Sequence, residues 1–286
     1  MIDMQKTLWL PLAVVLCFSC SKKTTPGGGS TPVTPPVSVT TIISLPQGWK
    51  YNPSYSTGLP NGMQVFSYDT LFNGKPTKAF CLAYDSKLNR FEFKPVVSAT
   101  AKRPMDFFTQ ETGVTYACIN GGFFGGSSSF SLLKYNNTVL SPNIKSVNRT
   151  FNGSATPYFP TRAAFGVSST GAPSAAWVYS IGSGNDNVYS YPAPSPNAEG
   201  SAPQPVPDAS FPVGGAPWNP VSAIGGSPML VKNGTINVTD AQELISINNT
   251  TSRPRSALGY TANAIVLLVA IEGDNAAAGY SGLNLA

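Results

Sequence analysis

Short runs of alternating apolar and polar residues, rich in Val, Ile, Thr, Tyr and Phe, recur from residue 41 onward and are punctuated by Gly, Asn and Pro. Alternation with a period of two predicts β-strands with one face buried. TTIISL, MQVFSYDTLF and KAFCLAYDSKLNRFEFKPVVS open the series, joined by Asn-Gly and Ser-Lys-Leu-Asn turns. TYACINGGFF, SFSLLKYNNTVLS and TRAAFGVSS follow; AIGGSPMLVKNGTI then reads as strand, Gly-rich turn and strand, and RPRSALGYTANAIVLLVAIEGDN as a strand pair. One helix is predicted, RPMDFFTQET, with Pro104 near the first helical position and Phe107 and Phe108 inside it. Residues 182–220 hold nine prolines and little periodicity, which makes them a functional rim or a disordered insert rather than an ordinary connection. No internal repeat is present. The expected fold is α+β, a strand-rich mixed sheet with few helices.

Composition narrows the chemistry. The 286 residues suffice for one large domain or two small ones, and 42% hydrophobic residues suffice for a core. Charged residues make up 11%, well below the usual quarter. The chain contains no histidine, which excludes Ser-His triads, histidine general bases and most zinc sites. Acid–base work falls to carboxylates, Tyr, Lys or Cys. Setting Lys6, Lys22, Lys23 and Asp3 aside from 18 basic and 13 acidic residues leaves 15 against 12, too even a balance to predict nucleic-acid binding.

The first 20 residues, MIDMQKTLWLPLAVVLCFSC, carry Lys6, an apolar run from Leu8 to Phe18, and then Ser19-Cys20. The run is too short to span a bilayer as a mature helix and reads as a signal peptide over 1–19. Cys20 after a small residue resembles a bacterial lipobox, which predicts lipidation there and a cell-envelope location facing the periplasm or on the outer membrane. Residues 20–40 lack any core pattern and read as a Gly/Ser/Thr/Pro-rich tether, leaving 41–286 as the folded domain. For a chain read as leaving the cytoplasm, no nucleotide or other cofactor is expected. Few metal ligands are on offer, although a carbonyl-rich calcium site stays open. Cys81 and Cys118 lie in apolar runs and are expected as buried free thiols on neighbouring strands, with a bridge as the alternative. Seven Asn-x-Ser/Thr triplets mark polar surface loops in such a chain.

Three segments break local rules. INGGFF stops an apolar run on Asn120 and follows it with Gly121 and Gly122; the reading is either a hairpin turn or a strand end open to a ligand. AIGGSPMLVKNG places Gly225, Gly226 and Ser227 after a buried run. RPRSALGY sets Arg255 before an apolar strand, and IVLLVAIEGD ends one on Glu272. Singly, Arg255 reads as an edge ion pair and Glu272 as a solvated turn carboxylate. Together the three segments predict strand ends converging on a polar cleft.

In order and spacing these segments resemble the phosphodiester glycosidase domain family, over roughly residues 41–286. The resemblance implies that Asn120, Gly121 and Gly122 line a site, that Gly225, Gly226 and Ser227 form a backbone-rich wall, and that Arg255 and Glu272-Gly273 are site residues. Asp274 stands where the family usually has Arg. The resemblance also implies a further helix and an acidic segment beyond SGLNLA, so the chain reads as truncated. The implied reaction is hydrolysis of a sugar-1-phosphodiester of the N-acetylglucosamine kind, with a phosphate-linked glycan as substrate. Phosphate leaves readily, so charge stabilisation by Arg255 and a carboxylate at Glu272 would carry it, with Asn120 holding the sugar. The competing function is a non-catalytic envelope glycan-binding module, with Tyr189, Tyr191, Phe211 and Trp218 as stacking platforms or as core anchors.

Overall fold

The computed structural model describes residues 39–285, apart from Asn89, Ser127 and Asn248. The signal peptide, Cys20 and nearly all of the tether lie outside the described residues. Among the described residues no helix is long and apolar enough to cross a membrane.

Two sheets carry the fold. The first has five strands: β1 (Trp49–Tyr51), β2 (Met63–Phe72), β3 (Lys75–Asp85), β11 (Arg255–Tyr260) and β12 (Ile265–Ile271), ordered β1-β2-β3-β12-β11. The second has seven: β4 (Leu133–Tyr135), β5 (Thr138–Ser141), β6 (Arg162–Val167), β7 (Pro173–Ser180), β8 (Val188–Tyr191), β9 (Ala216–Pro217) and β10 (Ser222–Gly225), ordered β9-β8-β7-β6-β10-β4-β5. Two short helices, α1 (Pro53–Ser56) and α2 (Pro104–Gln110), complete the main elements. Among the described residues 37% are in strands and 6% in helices, so the fold is mostly β.

The ladders within both sheets are antiparallel, so the single mixed sheet expected from the alternation gives way to two antiparallel ones. Tight turns explain this. Asn73-Gly74 joins β2 to β3 with both residues at positive φ (48° and 75°), the geometry that reverses a strand in two residues. Asn136 and Asn137, at 50° and 65°, do the same between β4 and β5.

The core lies between the sheets. Met63, Tyr84 and Val266 of the first sheet bury against Phe165 of the second, with Leu82, Leu258, Leu268 and Ile224 packed around them. Phe165 meets Phe93 edge-on at 5.2 Å between centroids. The outer face of the first sheet buries Phe66, Cys81, Ala83 and Ile265 under Ile42, Ile43 and Leu45. TTIISL is thus apolar because it covers a sheet, not because it pairs as a strand. Helix α2 matches its predicted signals: Pro104 starts it, and the Arg103 N–H donates to the Asp106 carboxylate at 2.9 Å.

The Pro-rich stretch is packed and ordered. It contributes β8 and β9 to the second sheet, buries Pro207, and ties Ser195 N–H to Thr161 Oγ1 at 2.8 Å. Tyr191 and Trp218 are 2% and 9% exposed. They are core anchors and present no ring face to a sugar, which removes two of the four platforms the binding-module reading relied on. Cys81 and Cys118 are unbridged. Cys81 is buried, which pushes its thiol up to about 11. Cys118 is half-buried on a segment without a ladder, so the expectation of two thiols on neighbouring strands fails for Cys118.

Candidate active site

TYACIN is not the buried strand its composition suggests. Residues 114–121 form no strand ladder, and Tyr116, Ala117 and Asn120 are exposed. The hairpin reading also fails at Asn120-Gly121; the nearby two-stranded ribbon pairs Phe124–Gly125 with Ser128–Ser129 instead. INGG runs across the end of the second sheet and packs on the second segment. A methyl group on Gly122 would lie 2.2 Å from the Gly225 carbonyl oxygen and 2.4 Å from Ser131 Oγ. Only glycine permits that approach. Phe123 N–H donates to Ser131 Oγ at 2.9 Å, and Gly225 N–H to the Leu132 carbonyl at 2.6 Å. The segment ends at the first sheet, where the Ser256 hydroxyl donates to Asn120 Oδ1 at 2.9 Å. Asn120 Nδ2 has no hydrogen-bond partner among the described residues.

Gly225, Gly226 and Ser227 are held from behind. Gly226 N–H donates to the Ala163 carbonyl at 3.1 Å. Glu243, with no exposed surface, accepts from Met229 N–H (2.8 Å), Ala163 N–H (2.9 Å), Thr239 Oγ1 (2.6 Å) and Trp177 Nε1 (3.1 Å). A carboxylate with four donors is stable in the interior because its hydration is replaced almost bond for bond. It joins the segment after Ser227 to β6. Nothing in AQELI distinguishes this glutamate from a surface one, so sequence reasoning missed it.

Strand register places the remaining residues. Ser67, Phe80, Ala270 and Ser256 lie opposite one another across β2, β3, β12 and β11. Opposed residues share a face, and this row is on the face that buries Leu82, Leu268 and Leu258 one step further along. There the second sheet covers it; at Ala270 and Ser256 it does not, and both are exposed. The next row outward is Asp69, Lys78 and, with the register carried one residue on by the Glu272 N–H···O=C Lys78 bond of 2.9 Å, Glu272. The result is an open shelf with Asn120 and Ser256 at one side and Glu272 at its rim.

Glu272 is half-buried, and its Oε1 accepts from Asn275 Nδ2 at 2.8 Å. Gly273 packs against Pro254 and Gly282, which fixes the turn. Asp274 pairs with Arg253 at 3.8 Å, both side chains more than half exposed, a contact of little energetic weight. Arg255 falls in the alternate row with Ile271 and Ala79, on the face opposite Ser256. Its Nε donates to the Leu283 carbonyl and its Nη2 to the Thr251 carbonyl, each at 3.2 Å. Burial and the neighbouring Arg253 charge both lower its pKa. The structure therefore gathers Asn120, Gly121, Gly122 and Gly225 with Ser256, places Glu272 on the same shelf, and sets the Arg255 guanidinium on the chain's own carbonyls. Among the described residues no group of three or more Asp, Glu or Cys side chains is placed to hold a metal ion.

A family model described as phosphodiester glycosidase matches residues 115–286. The chain belongs to the phosphodiester glycosidase family. The match takes in Asn120, the Gly225–Ser227 wall, Arg255 and Glu272, while β1, β2 and β3 lie before it. No curated protein matches the chain. Among solved structures, a hypothetical protein from Synechocystis is similar at 15% identity and a TM-score of 0.47, over 80% of this chain and 53% of that one. The chain thus spans about half the length of that relative.

Proposed function

We propose that the protein hydrolyses the glycosidic bond of a sugar-1-phosphodiester of the N-acetylglucosamine kind, in the bacterial cell envelope, anchored by lipid on Cys20. The observation that carries the chemistry is the open shelf with Glu272 at its rim and the Asn120–Ser256 pair across it. Glu272 acts at the anomeric carbon as nucleophile or as base for water. The bond from anomeric carbon to phosphate oxygen breaks, and the phosphomonoester leaves with the electron pair. Water supplies the hydroxyl of the freed sugar, and its other proton passes to solvent through the carboxylate. A phosphate leaving group demands little general acid, which suits a site without histidine. Asn120 Nδ2 and the exposed Gly226 backbone hold the sugar, and Asp274 lies at the outer edge of the turn. Arg255 holds the β11 edge by its carbonyl contacts and contributes positive potential rather than a direct fork.

The test is to incubate the full chain with methyl N-acetylglucosamine-1-phosphate and follow free sugar and methyl phosphate together. Equimolar release that drops at least 100-fold in Glu272→Gln is expected, the scale of removing a positioned acid–base group. Release unchanged in that variant, or absent in the wild type, rejects the reading. Detergent-phase partition that is lost in Cys20→Ala tests the anchor.

A further inference from the structure

Just past Glu272 the chain makes a closed turn at the rim of the first sheet. Asn275 N–H donates to the Tyr280 carbonyl at 2.9 Å and Tyr280 N–H to the Asn275 carbonyl at 3.1 Å, closing a loop over Ala276, Ala277, Ala278 and Gly279. Those four residues are exposed and carry nothing larger than a methyl group, so none of them can pin the loop. At its base Gly282 has a φ of 83°, and a methyl group there would lie 2.0 Å from the Arg253 carbonyl oxygen. Leu283 and Arg253 exchange backbone bonds of 3.0 and 3.2 Å. The base is fixed through backbone, and the flanks through two side chains, Asn275 and Tyr280.

Asn275 ties the loop to the carboxylate. Its Nδ2 donates to Glu272 Oε1 at 2.8 Å, and its Oδ1 accepts from Ala278 N–H at 3.3 Å. Tyr280 ties the loop to the sheet. Its hydroxyl donates to Asp69 Oδ1 at 3.1 Å, and Lys78 Nζ lies 5.8 Å from its ring centroid. Register places both partners: Asp69 is opposite Lys78, and the Glu272 N–H···O=C Lys78 bond of 2.9 Å puts Glu272 next in the row. At ~4.8 Å between strands, Glu272 and Asp69 are about 10 Å apart. Tyr280 thus reaches from a turn rooted beside β12 to β2, past Lys78, and a hydroxyl donating to a carboxylate is one of the stronger side-chain bonds.

We propose that Tyr280 is a positioning residue for Glu272: the Tyr280–Asp69 bond holds the turn in one place over the sheet, and Asn275 passes that fixed position to the carboxylate. The effect on rate rests on the hydrolase reading; the effect on the carboxylate does not. Without the phenol hydroxyl the turn keeps its base and loses its tie to β2. Asn275 then holds Glu272 from a looser support, and a reacting carboxylate loses rate steeply when its geometry loosens. Asp69 lies before the family-matched segment, so the support comes from outside it.

The test uses the full chain with 13C-labelled carboxyl groups, the Glu272 signal being identified by its loss in Glu272→Gln. Tyr280→Phe keeps the ring beside Lys78 and removes only the hydroxyl. It should move the Glu272 signal and speed exchange of the Asn275 and Tyr280 amides about tenfold. With methyl N-acetylglucosamine-1-phosphate it should lower kcat about tenfold and leave KM within about twofold. Asp69→Ala should do the same, the double variant no more than either alone, and Asp69→Asn, which keeps an acceptor, should stay close to the wild type. A Glu272 signal unmoved in Tyr280→Phe, losses that add in the double variant, or an unchanged kcat in an active protein would overturn the proposal. A moved signal in a protein that turns over no phosphodiester would reject the hydrolase reading and leave the positioning contact standing.

Discussion

Glu243 lies in a turn held against the seven-stranded sheet, has no exposed surface, and receives four donors from its own chain. Glu272 lies at the end of β12 on the five-stranded sheet, half-buried, and among the described residues takes one side-chain donor, from Asn275. Both are glutamates in the family-matched segment, and both adjoin Gly-containing turns. The first is sealed from any substrate by burial and bonded to its own chain; its position is worth stability. The second is oriented by one hydrogen bond and, among the described residues, its other carboxylate oxygen takes no hydrogen bond. The same contrast holds for the surrounding backbone: Gly122 and Gly225 are in contact, whereas nothing lies within 4 Å of where a Gly226 side chain would begin.

Five substitutions can break or sharpen this contrast. Glu243→Leu should have the largest effect, about 4 kcal/mol in urea unfolding, because it orphans two buried backbone N–H groups and the Thr239 hydroxyl proton, and leaves the Trp177 indole only its 3.0 Å bond to Thr239 Oγ1. A loss below about 1 kcal/mol would mean the network is not a keystone. Next, Glu272→Gln should lower turnover at least ~100-fold while moving stability by no more than about 0.5 kcal/mol. Stability falling in step with rate would make the two glutamates alike. Gly122→Ala should cost about 1–3 kcal/mol, since backbone must shift, while Gly226→Ala stays within about 0.5 kcal/mol; paired thermal melts decide this. Smallest is Arg255→Lys, expected to cost about 1 kcal/mol of stability through weaker carbonyl contacts. Its rate loss should be under ~10-fold and equal on charged and uncharged glycosides. A loss confined to the phosphate-bearing substrate would return Arg255 to the role of a direct phosphate fork.

Much of the frame was legible from local rules. The bounds of β2 coincide with MQVFSYDTLF, and the Asn-Gly turns carry the positive φ that their composition requires. The convergence of INGG with IGGS was legible because glycine runs beside apolar segments signal close backbone approach. RFEF and TYACI were misread, since apolar runs that pack against a sheet look like runs that pair within one. Lys78, Phe80 and Ser256 escaped notice for another reason. Their adjacency to Glu272 and Asn120 arises only when β3 pairs with β12, and no pattern local to either strand announces that partner. Arg255 was misplaced by one step of alternation: sequence set it beside the site, and the ladder turned it to the opposite face.

The β3–β12 ladder also sets a schedule for the newborn chain. Ala79 pairs with Ile271, a separation of 271 minus 79, or 192 residues. The β2–β3 hairpin leaves the ribosome early, with its tight turn formed, yet its free edge and the apolar face of Phe66, Cys81 and Ala83 must wait for β12. At ~5–20 residues per second that wait is roughly 10–40 s. Such an edge is a template for pairing with other chains, so during synthesis the hairpin is the segment on which a holding chaperone would act.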